Sequence, residues 1–147
     1  MKIKFKKLSP LVTSLPNYSC KGDAGMDVMA AIEEPITLNS LERRVIPTGI
    51  AAEIPMGYEI QVRPRSGLAA KYGITVLNSP GTIDSGYKDE IKVILVNLSK
   101  DPYTIQPGER IAQLVLCKLT VADEIIEVKE IDVSNNRNGG LGHTGKF

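Results

Sequence analysis

The sequence contains no tryptophan, one histidine and two cysteines in its 147 residues. A single histidine cannot build a multi-histidine metal site. Cys20 and Cys117 are far apart in the chain and form no Cys-x-x-Cys pair. Both thiols therefore fit a reducing compartment, in which cysteines act as small apolar residues, and we expect a cytoplasmic protein.

Long apolar runs are also missing. No stretch approaches the roughly 20 apolar residues that cross a bilayer, and no apolar segment follows the basic start MKIKFKK. Neither a membrane span nor a signal peptide is therefore expected. An excess of one charge is absent as well, because the net charge is +1. This balance argues against a nucleic-acid partner on a broad basic face, and it leaves room for a small anion held by a few residues.

Isoleucine and valine are abundant, with 27 of them against 22 leucines and alanines, which favours strands over helices. Turn signals such as PTG, IPMGY and QPGER separate short apolar runs, so we expect an all-β sandwich, jelly roll or barrel. YEIQVR alternates, with Tyr58, Ile60 and Val62 on one face. KVILVNL is continuously apolar and is expected to be covered on both faces. The length fits a single domain.

Two stretches depart from the strand pattern. In RSGLAAKYG, Ser66 can cap a short helix near residues 67-72 and Gly73 can end it. The tail SNNRNGGLGHTGKF has no strand pattern, so we expect it to be mobile unless something binds it. The sequence therefore predicts a β domain over residues 1-134 and a flexible glycine-rich arm over residues 135-147.

Three short motifs are compatible with phosphate or metal binding, and each also has an ordinary structural explanation. RPRSG offers an arginine fork, a hydroxyl and helix N–H groups that suit phosphate, or simply an N-cap. Asp27 in GDAGMDV is either a turn residue or a carboxylate beside hydrated Mg²⁺. Gln113 interrupts an apolar run, either as a hydrogen-bonded core residue or as a ligand contact.

Two further segments are ambiguous in the same way. NSPGTIDSGYKDE, between two apolar runs, indicates strand–turn–strand, and Asp84 is then either a turn residue or a chemical one. The tail glycines Gly140, Gly142 and Gly145 satisfy G-x-G-x-x-G, but no helix can follow as a dinucleotide fold requires. The tail is either disordered or able to wrap an anion with its backbone N–H groups.

Taken together and in this order, AGMDV, PRSGLA, GTIDSGYKDE, ERIAQLV and RNGGLGHTG resemble the five motifs of the trimeric dUTPase family. The resemblance runs from residue 24 to 145, nearly the whole chain. It implies an all-β, jelly-roll-like distorted β-barrel subunit with one short helix, in a homotrimer whose active sites are shared between chains. The arm of one chain would close over a site formed by the others. The implied reaction converts dUTP and water to dUMP and pyrophosphate with Mg²⁺, keeping uracil out of DNA and supplying dUMP for thymidylate synthesis.

The same resemblance implies roles for individual residues. Asp84 would be the base that orients and activates the water attacking the α-phosphate, which suits a carboxylate ionised at neutral pH. Tyr87 would pack flat on the deoxyribose and exclude a 2′-hydroxyl, and Asp27 would contact the metal through water. The expected phosphate contacts are Arg65, Ser66, Gly67 and Gln113. The expected uracil contacts in the hairpin are Asn78, Thr82, Ile83 and the main chain of Lys92. In the arm, Arg137 is expected at the γ-phosphate, Leu141 over uracil, and Gly142 as a further substrate contact.

Three departures from the family pattern affect the expected site. Leu141 stands where phenylalanine is usual, and leucine can cover uracil but cannot stack on it. The family's tail arginine aligns with Asn136, whereas Arg137 lies one place later, so we expect Arg137→Ala to lower turnover more than Asn136→Ala. Lys88 and Asp89 replace the usual Arg-Gly, and a glycine there suggests backbone freedom that aspartate tolerates only partly.

Two other readings of the fold remain. A deoxycytidine triphosphate deaminase-like enzyme shares the architecture, but the motif with Asp84 and Tyr87 and the glycine-rich tail argue against it. A non-catalytic nucleotide-binding member of the same fold would be signalled by loss of the base, and Asp84 is present.

Overall fold

The computed structural model describes residues 1–136 and 139–141. These residues form one short helix and eleven strands. The elements are β1 (Lys4–Lys7), β2 (Gly25–Met29), β3 (Ile36–Leu38), β4 (Arg43–Pro47), β5 (Ile50–Glu53), β6 (Tyr58–Arg63), α1 (Ser66–Tyr72), β7 (Ile74–Val76), β8 (Gly81–Ile83), β9 (Lys92–Asn97), β10 (Tyr103–Ile105) and β11 (Arg110–Lys118).

The strands form two larger sheets and two strand pairs, all antiparallel. One sheet has four strands in the order β2-β11-β6-β8, and the other has three in the order β4-β9-β7. β1 pairs with β5, and β10 pairs with β3. A single apolar cluster takes side chains from both sheets, including Val62 on β6, Leu114 on β11 and Leu95 on β9. No helix in the described ranges is long and apolar enough to cross a bilayer.

The two strand patterns in the sequence are confirmed. Ile60 and Val62 of β6 are 0% and 3% exposed, and Tyr58 on the same face packs against the core. The polar residues of β6 point the other way, where Arg63 donates to Gln61, and Gln61 donates to Glu59. On β9, Val93 and Leu95 of one face are 0% exposed and Val96 of the other face is 5% exposed, so both faces are covered, as the continuously apolar sequence predicts.

The helix is confirmed, but its predicted N-cap is wrong. Ser66 is already the first helical residue, so Arg65 takes the extended cap position, with no side-chain capping bond. An N-cap oxygen must come from the residue before the helix, and the Arg65 guanidinium has no acceptor atom; it donates to Asp27 instead. At the other end Gly73 adopts φ 67 and its N–H donates to the Ala69 and Leu68 oxygens, as expected for a glycine cap.

The prediction of a strand–turn–strand hairpin over residues 76–97 is wrong in its pairing. β8 pairs with β6 in the four-stranded sheet, whereas β9 pairs with β4 and β7 in the other sheet. The segment between them therefore passes from one sheet to the other. Periodicity could not show this, because it reports which residues are buried and not which strand is the partner.

Gly49, at the turn between β4 and β5, offers a test of packing. Its φ is 65, and an added Cβ would lie 2.6 Å from Val12 Cγ2 and 2.9 Å from Ser9 Cβ. We expect Gly49→Ala to lower the free energy of unfolding by about 3 kcal/mol, through left-handed strain and overpacking together. Gly57 is the matched control, with φ 83 and nothing within 4 Å of an added Cβ. In urea unfolding Gly57→Ala should cost only about 1 kcal/mol, and equal losses would contradict the crowding argument.

Candidate active site

A carboxylate and two guanidinium groups meet where β2, β11 and the start of α1 come together. Asp27 Oδ1 lies 3.0 Å from Arg65 Nε, and Asp27 Oδ2 lies 3.4 Å from Arg110 Nη1. The Asp27 and Arg65 side chains are 21% and 27% exposed, so the first pair is only partly reached by water. Two positive charges against one negative leave the cluster cationic, which suits a phosphate or another anion.

Gln113 belongs to the same region because β11 places it directly opposite Asp27 on β2. Its neighbours Ala112 and Leu114 are fully buried, whereas Gln113 on the opposite face is partly exposed. The amide lies over Gly25, where an added Cβ would be 3.0 Å from Gln113 Oε1. Gln113 is therefore not a core residue, and the missing side chain at position 25 gives its amide room.

Ser66 and Gly67 follow Arg65 directly and are both exposed. As the first residues of α1, they have backbone N–H groups without an acceptor inside the helix. No atom lies within 4 Å of an added Cβ on Gly67, so a ligand can approach the backbone closely there. The structure thus places all four predicted phosphate contacts in one region, together with Asp27.

Arg110 was not predicted from the sequence, where its only signal was a place three residues before Gln113 in ERIAQLV. Besides its contact with Asp27, its main-chain oxygen accepts a bond from Arg65 Nη1 at 3.1 Å. The turn before it is held by the Tyr103 hydroxyl, which donates to the Glu109 carboxylate. Burial, and then that carboxylate, raise the pKa of Tyr103 well above its usual range, so the hydroxyl keeps its proton for this bond.

A second group of predicted residues lies on the segment between β8 and β9. Asp84 is exposed, and its main-chain oxygen accepts a bond from Tyr87 N at 3.1 Å. The Tyr87 hydroxyl donates to the main-chain oxygen of Glu90 at 2.7 Å, and the Lys88 ammonium donates to that of Ser85. The segment is therefore folded on itself by its own hydrogen bonds, and the Asp84 carboxylate is open to solvent.

The expected strain at Asp89 is absent. Leu41 is the one non-glycine residue with positive φ in the described part of the chain, so Asp89 does not need glycine's freedom. The hydrogen-bonded turn falls earlier, at Ser85 and Gly86, and is closed by the Tyr87 N–H bond to Asp84, whereas Asp89 lies in a bend. Aspartate is therefore compatible with this backbone.

The predicted uracil contacts surround β8. Thr82 and Ile83 lie on this strand, which is the last of its sheet, so one backbone edge pairs with β6 and the other meets no strand among the described residues. Asn78 Nδ2 lies 3.3 Å from the place of an added Cβ on Gly81, so the amide packs beside β8. Lys92 opens β9 in the other sheet. Free backbone donors and acceptors on the outer edge of β8 are available to a planar ligand.

The two groups of residues lie apart within one chain. Ile83, next to Asp84, pairs with Ile60 on β6, whereas Arg65 follows the opposite end of β6. Arg65 lies five positions beyond Ile60, which is about 16 Å at the rise of an extended strand. Asp84 and Arg65 therefore lie at well-separated places along β6 within one chain.

The predicted arm contacts are only partly described. Arg137 and Gly142 lie outside the described residues, and Leu141 is fully exposed. Residues 120–136 are exposed and contain neither helix nor strand. The boundary between residues 134 and 135 remains a prediction.

Metal binding through Asp27 fits one kind of ion. The described ranges contain no group of three or more His, Cys, Asp or Glu side chains that could hold a metal. A cation near Asp27 would therefore take most of its ligands from water and a bound phosphate. Mg²⁺ meets this condition, because it keeps several waters and uses few protein ligands.

Known proteins resemble this chain along almost its full length. A family model for dUTPase matches residues 12–145. The deoxyuridine 5′-triphosphate nucleotidohydrolase of Fusobacterium nucleatum is 56% identical over 145 residues, which cover 99% of each chain. The protein of the same name from Finegoldia magna is 51% identical, with 97% of this chain and 99% of its own covered.

Solved structures of dUTPases are also similar to this chain. A dUTPase of Staphylococcus bacteriophage 80alpha, solved with dUpNHpp, has a TM-score of 0.86 at 28% identity and covers 98% of both chains. A dUTPase from phage phi11 of S. aureus, described with a structural Mg(II) ion, scores 0.80 at 26% identity over 90% of this chain and 99% of its own. The expected all-β, jelly-roll-like fold with one short helix is confirmed. Since the family model spans most of the chain and relatives share half its residues, the chain belongs to the dUTPase family.

Proposed function

We propose that this chain is a dUTP diphosphatase, which hydrolyses dUTP to dUMP and pyrophosphate, keeping uracil out of DNA and supplying dUMP for thymidylate synthesis. The observation that carries the proposal is the cationic cluster of Arg65 and Arg110 on Asp27, beside the Gln113 amide. A guanidinium fork binds two phosphate oxygens at once. Ser66 and Gly67 add backbone N–H groups with no acceptor inside the helix.

Asp84 is the base in this reaction. A water between its carboxylate and the α-phosphate gives a proton to the carboxylate as the water oxygen bonds to phosphorus. The bond from phosphorus to the bridging oxygen breaks, and pyrophosphate leaves. Because aspartate is a weak base, positioning and charge neutralisation by Arg65 and Arg110 supply most of the rate.

Mg²⁺ is the proposed cofactor. When bound, it neutralises charge on the phosphate oxygens and helps to orient them. Asp27 holds it through water, since the carboxylate oxygens are already in contact with Arg65 and Arg110. Asp27 would thus have two tasks, which are to fix the guanidinium groups and to accept a hydrogen bond from a water of the cation that the phosphates attract.

The uracil and the deoxyribose bind to the region around β8. Uracil offers N3–H and O4, whereas cytosine presents the opposite donor and acceptor pattern, so fixed backbone groups distinguish them. The outer edge of β8 at Thr82 and Ile83, with Asn78 and the main chain of Lys92, supplies those groups. Tyr87 packs on the deoxyribose and leaves no space for a 2′-hydroxyl.

A homotrimer completes the site in this proposal. The separation of Asp84 from Arg65 within one chain supports shared sites, because a neighbouring copy can bring its own Asp84 to the phosphates. The arm of residues 135–147 from a further copy closes the site, with Arg137 on the γ-phosphate, Leu141 over uracil and Gly142 as a backbone donor. A cytoplasmic location accords with the free thiols Cys20 and Cys117.

One assay tests the proposed function. The purified protein is incubated with Mg²⁺ and dUTP, dCTP, UTP or dTTP, and pyrophosphate and ammonia are measured. We expect pyrophosphate from dUTP and little from the other three nucleotides. Ammonia from dCTP would indicate a deaminase, and no product from any nucleotide would indicate a binding protein. Either result would overturn the proposal.

A further inference from the structure

Glu90 ties the segment that carries Asp84 and Tyr87 to a distant turn. Its Oε1 accepts a bond from the Gly49 N–H at 2.8 Å, across 41 positions of sequence. The side chain is 26% exposed, and its other oxygen lies 3.8 Å from Lys92 Nζ. This carboxylate has no part in the chemistry proposed above, so its contact with the turn needs another explanation.

The turn to which Glu90 is attached is a rigid anchor. Gly49 is closely surrounded by Val12 and Ala31, and its oxygen accepts a bond from Leu8 N at 2.7 Å. The residue after Glu90 is held at the same place, because Ile91 N donates to the Ile50 oxygen at 2.8 Å. The Ile91 bond holds the peptide that carries the Glu90 main-chain oxygen, and the side-chain bond to Gly49 attaches the same residue a second time.

Glu90 is hydrogen-bonded directly to Tyr87, the residue that would contact the sugar. The Tyr87 hydroxyl donates to the Glu90 main-chain oxygen at 2.7 Å. Tyr87 is 39% exposed, so packing alone holds its ring only in part. If the Glu90 peptide shifts, the hydroxyl must shift with it or lose its acceptor.

We propose that Glu90 is a positioning residue, which fixes the ring of Tyr87 through the Gly49 anchor and thereby sets discrimination between deoxyribose and ribose nucleotides. The inference rests on the proposed function for its consequence, since there Tyr87 packs on the sugar. The positioning itself can be measured without substrate.

The first test observes the ring directly. The five tyrosines are labelled with ¹³C, and the Tyr87 ring signal is identified by its loss in Tyr87→Phe. In Glu90→Ala we expect this signal to shift or broaden. Glu42→Ala is the matched control, because it also removes a carboxylate that accepts a backbone N–H, from Asn39 at 3.0 Å, at another turn. An unchanged Tyr87 signal in Glu90→Ala would overturn the inference, whether or not the protein hydrolyses dUTP.

The second test measures the ratio of kcat/KM for dUTP to that for UTP. In Glu90→Ala we expect this ratio to fall about tenfold, as suits the loss of a hydrogen bond to a charged group. Part of the change should be a lower KM for UTP, because a loosened ring no longer excludes the 2′-hydroxyl, and the rest should be a higher KM for dUTP. Glu90→Gln keeps an oxygen for the Gly49 N–H and should restore most of the ratio. Equal losses for both nucleotides in Glu90→Ala would indicate a merely structural role and would contradict the inference.

The Tyr87→Ala variant distinguishes a failure of the inference about Glu90 from a failure of the proposed role of Tyr87. If Tyr87→Ala lowers the dUTP to UTP ratio and Glu90→Ala does not, the inference is wrong and the proposed role of Tyr87 stands. If Tyr87→Ala leaves the ratio unchanged, the proposed role of Tyr87 is wrong. The substrate-free ring signal then still decides whether Glu90 positions Tyr87.

Discussion

Asp84→Asn is expected to lower kcat for dUTP by about 10²–10⁴-fold, because an amide cannot take the proton of the attacking water. The substitution keeps the size and most of the polarity of the side chain. Binding of a non-hydrolysable imido analogue of dUTP, measured by calorimetry, should therefore stay close to that of the unaltered protein. The loss would then lie in the chemical step and not in substrate binding.

Asp89→Asn is the matched control for this prediction. Asp89 lies in the same segment, is exposed and loses the same charge, but has no place in the proposed chemistry. Its kcat should remain near that of the unaltered protein. If both variants lose activity equally, the loss is caused by removing a negative charge from the segment and not by removing a catalytic base. If Asp84→Asn stays active, Asp84 is not the base.

Mixing two inactive variants is expected to restore activity. Asp84→Asn chains keep Arg65, and Arg65→Ala chains keep Asp84, so an assembly that contains both can form a complete site between neighbours. In any trimer that contains both kinds of chain, one of the three sites should combine the intact Asp84 of one chain with the intact Arg65 of its neighbour. The two variants are co-expressed with different tags, purified through both tags and assayed for pyrophosphate release.

The controls for the mixing experiment use the same tags. A chain with both substitutions, co-expressed with either single variant, should remain inactive, because no pair of neighbours then supplies both groups. If the mixed single variants also remain inactive although sizing shows a mixed trimer, Asp84 and Arg65 act within one chain. Asp84 and Arg65 would then have to approach each other by a conformational change within the chain.

The sequence predicts best those features that depend on near neighbours. The end of the helix at Gly73 and the buried face of β6 at Ile60 and Val62 follow from local conformation and from alternation. The phosphate contacts around Arg65 and Gln113 come from motifs whose order and spacing are specific. Those residues do meet in the structure, although their roles remain a prediction.

Features that depend on partners distant in sequence were not predicted. Arg110 gave no signal of its own, because its role depends on Asp27, 83 positions earlier in the chain. The pairing of β8 with β6 instead of β9 depends on the sheet order, which a single strand's pattern does not contain. The contact of Glu90 with Gly49 is of the same kind, since a glutamate after a turn is ordinarily a solvated side chain.

The edge of β8 that meets no strand in the described part of the chain also bears on how the protein avoids aggregation. A free sheet edge lets a strand from another molecule add to it, and long flat edges are the most hazardous. β8 has only three residues, and after Ile83 the chain leaves for the other sheet. The exposed edge is therefore about 10 Å long, too short for a strand of ordinary length to pair along it. The same short length suits an edge that hydrogen-bonds a single nucleobase. An edge long enough for the ligand is therefore too short to promote aggregation by strand addition.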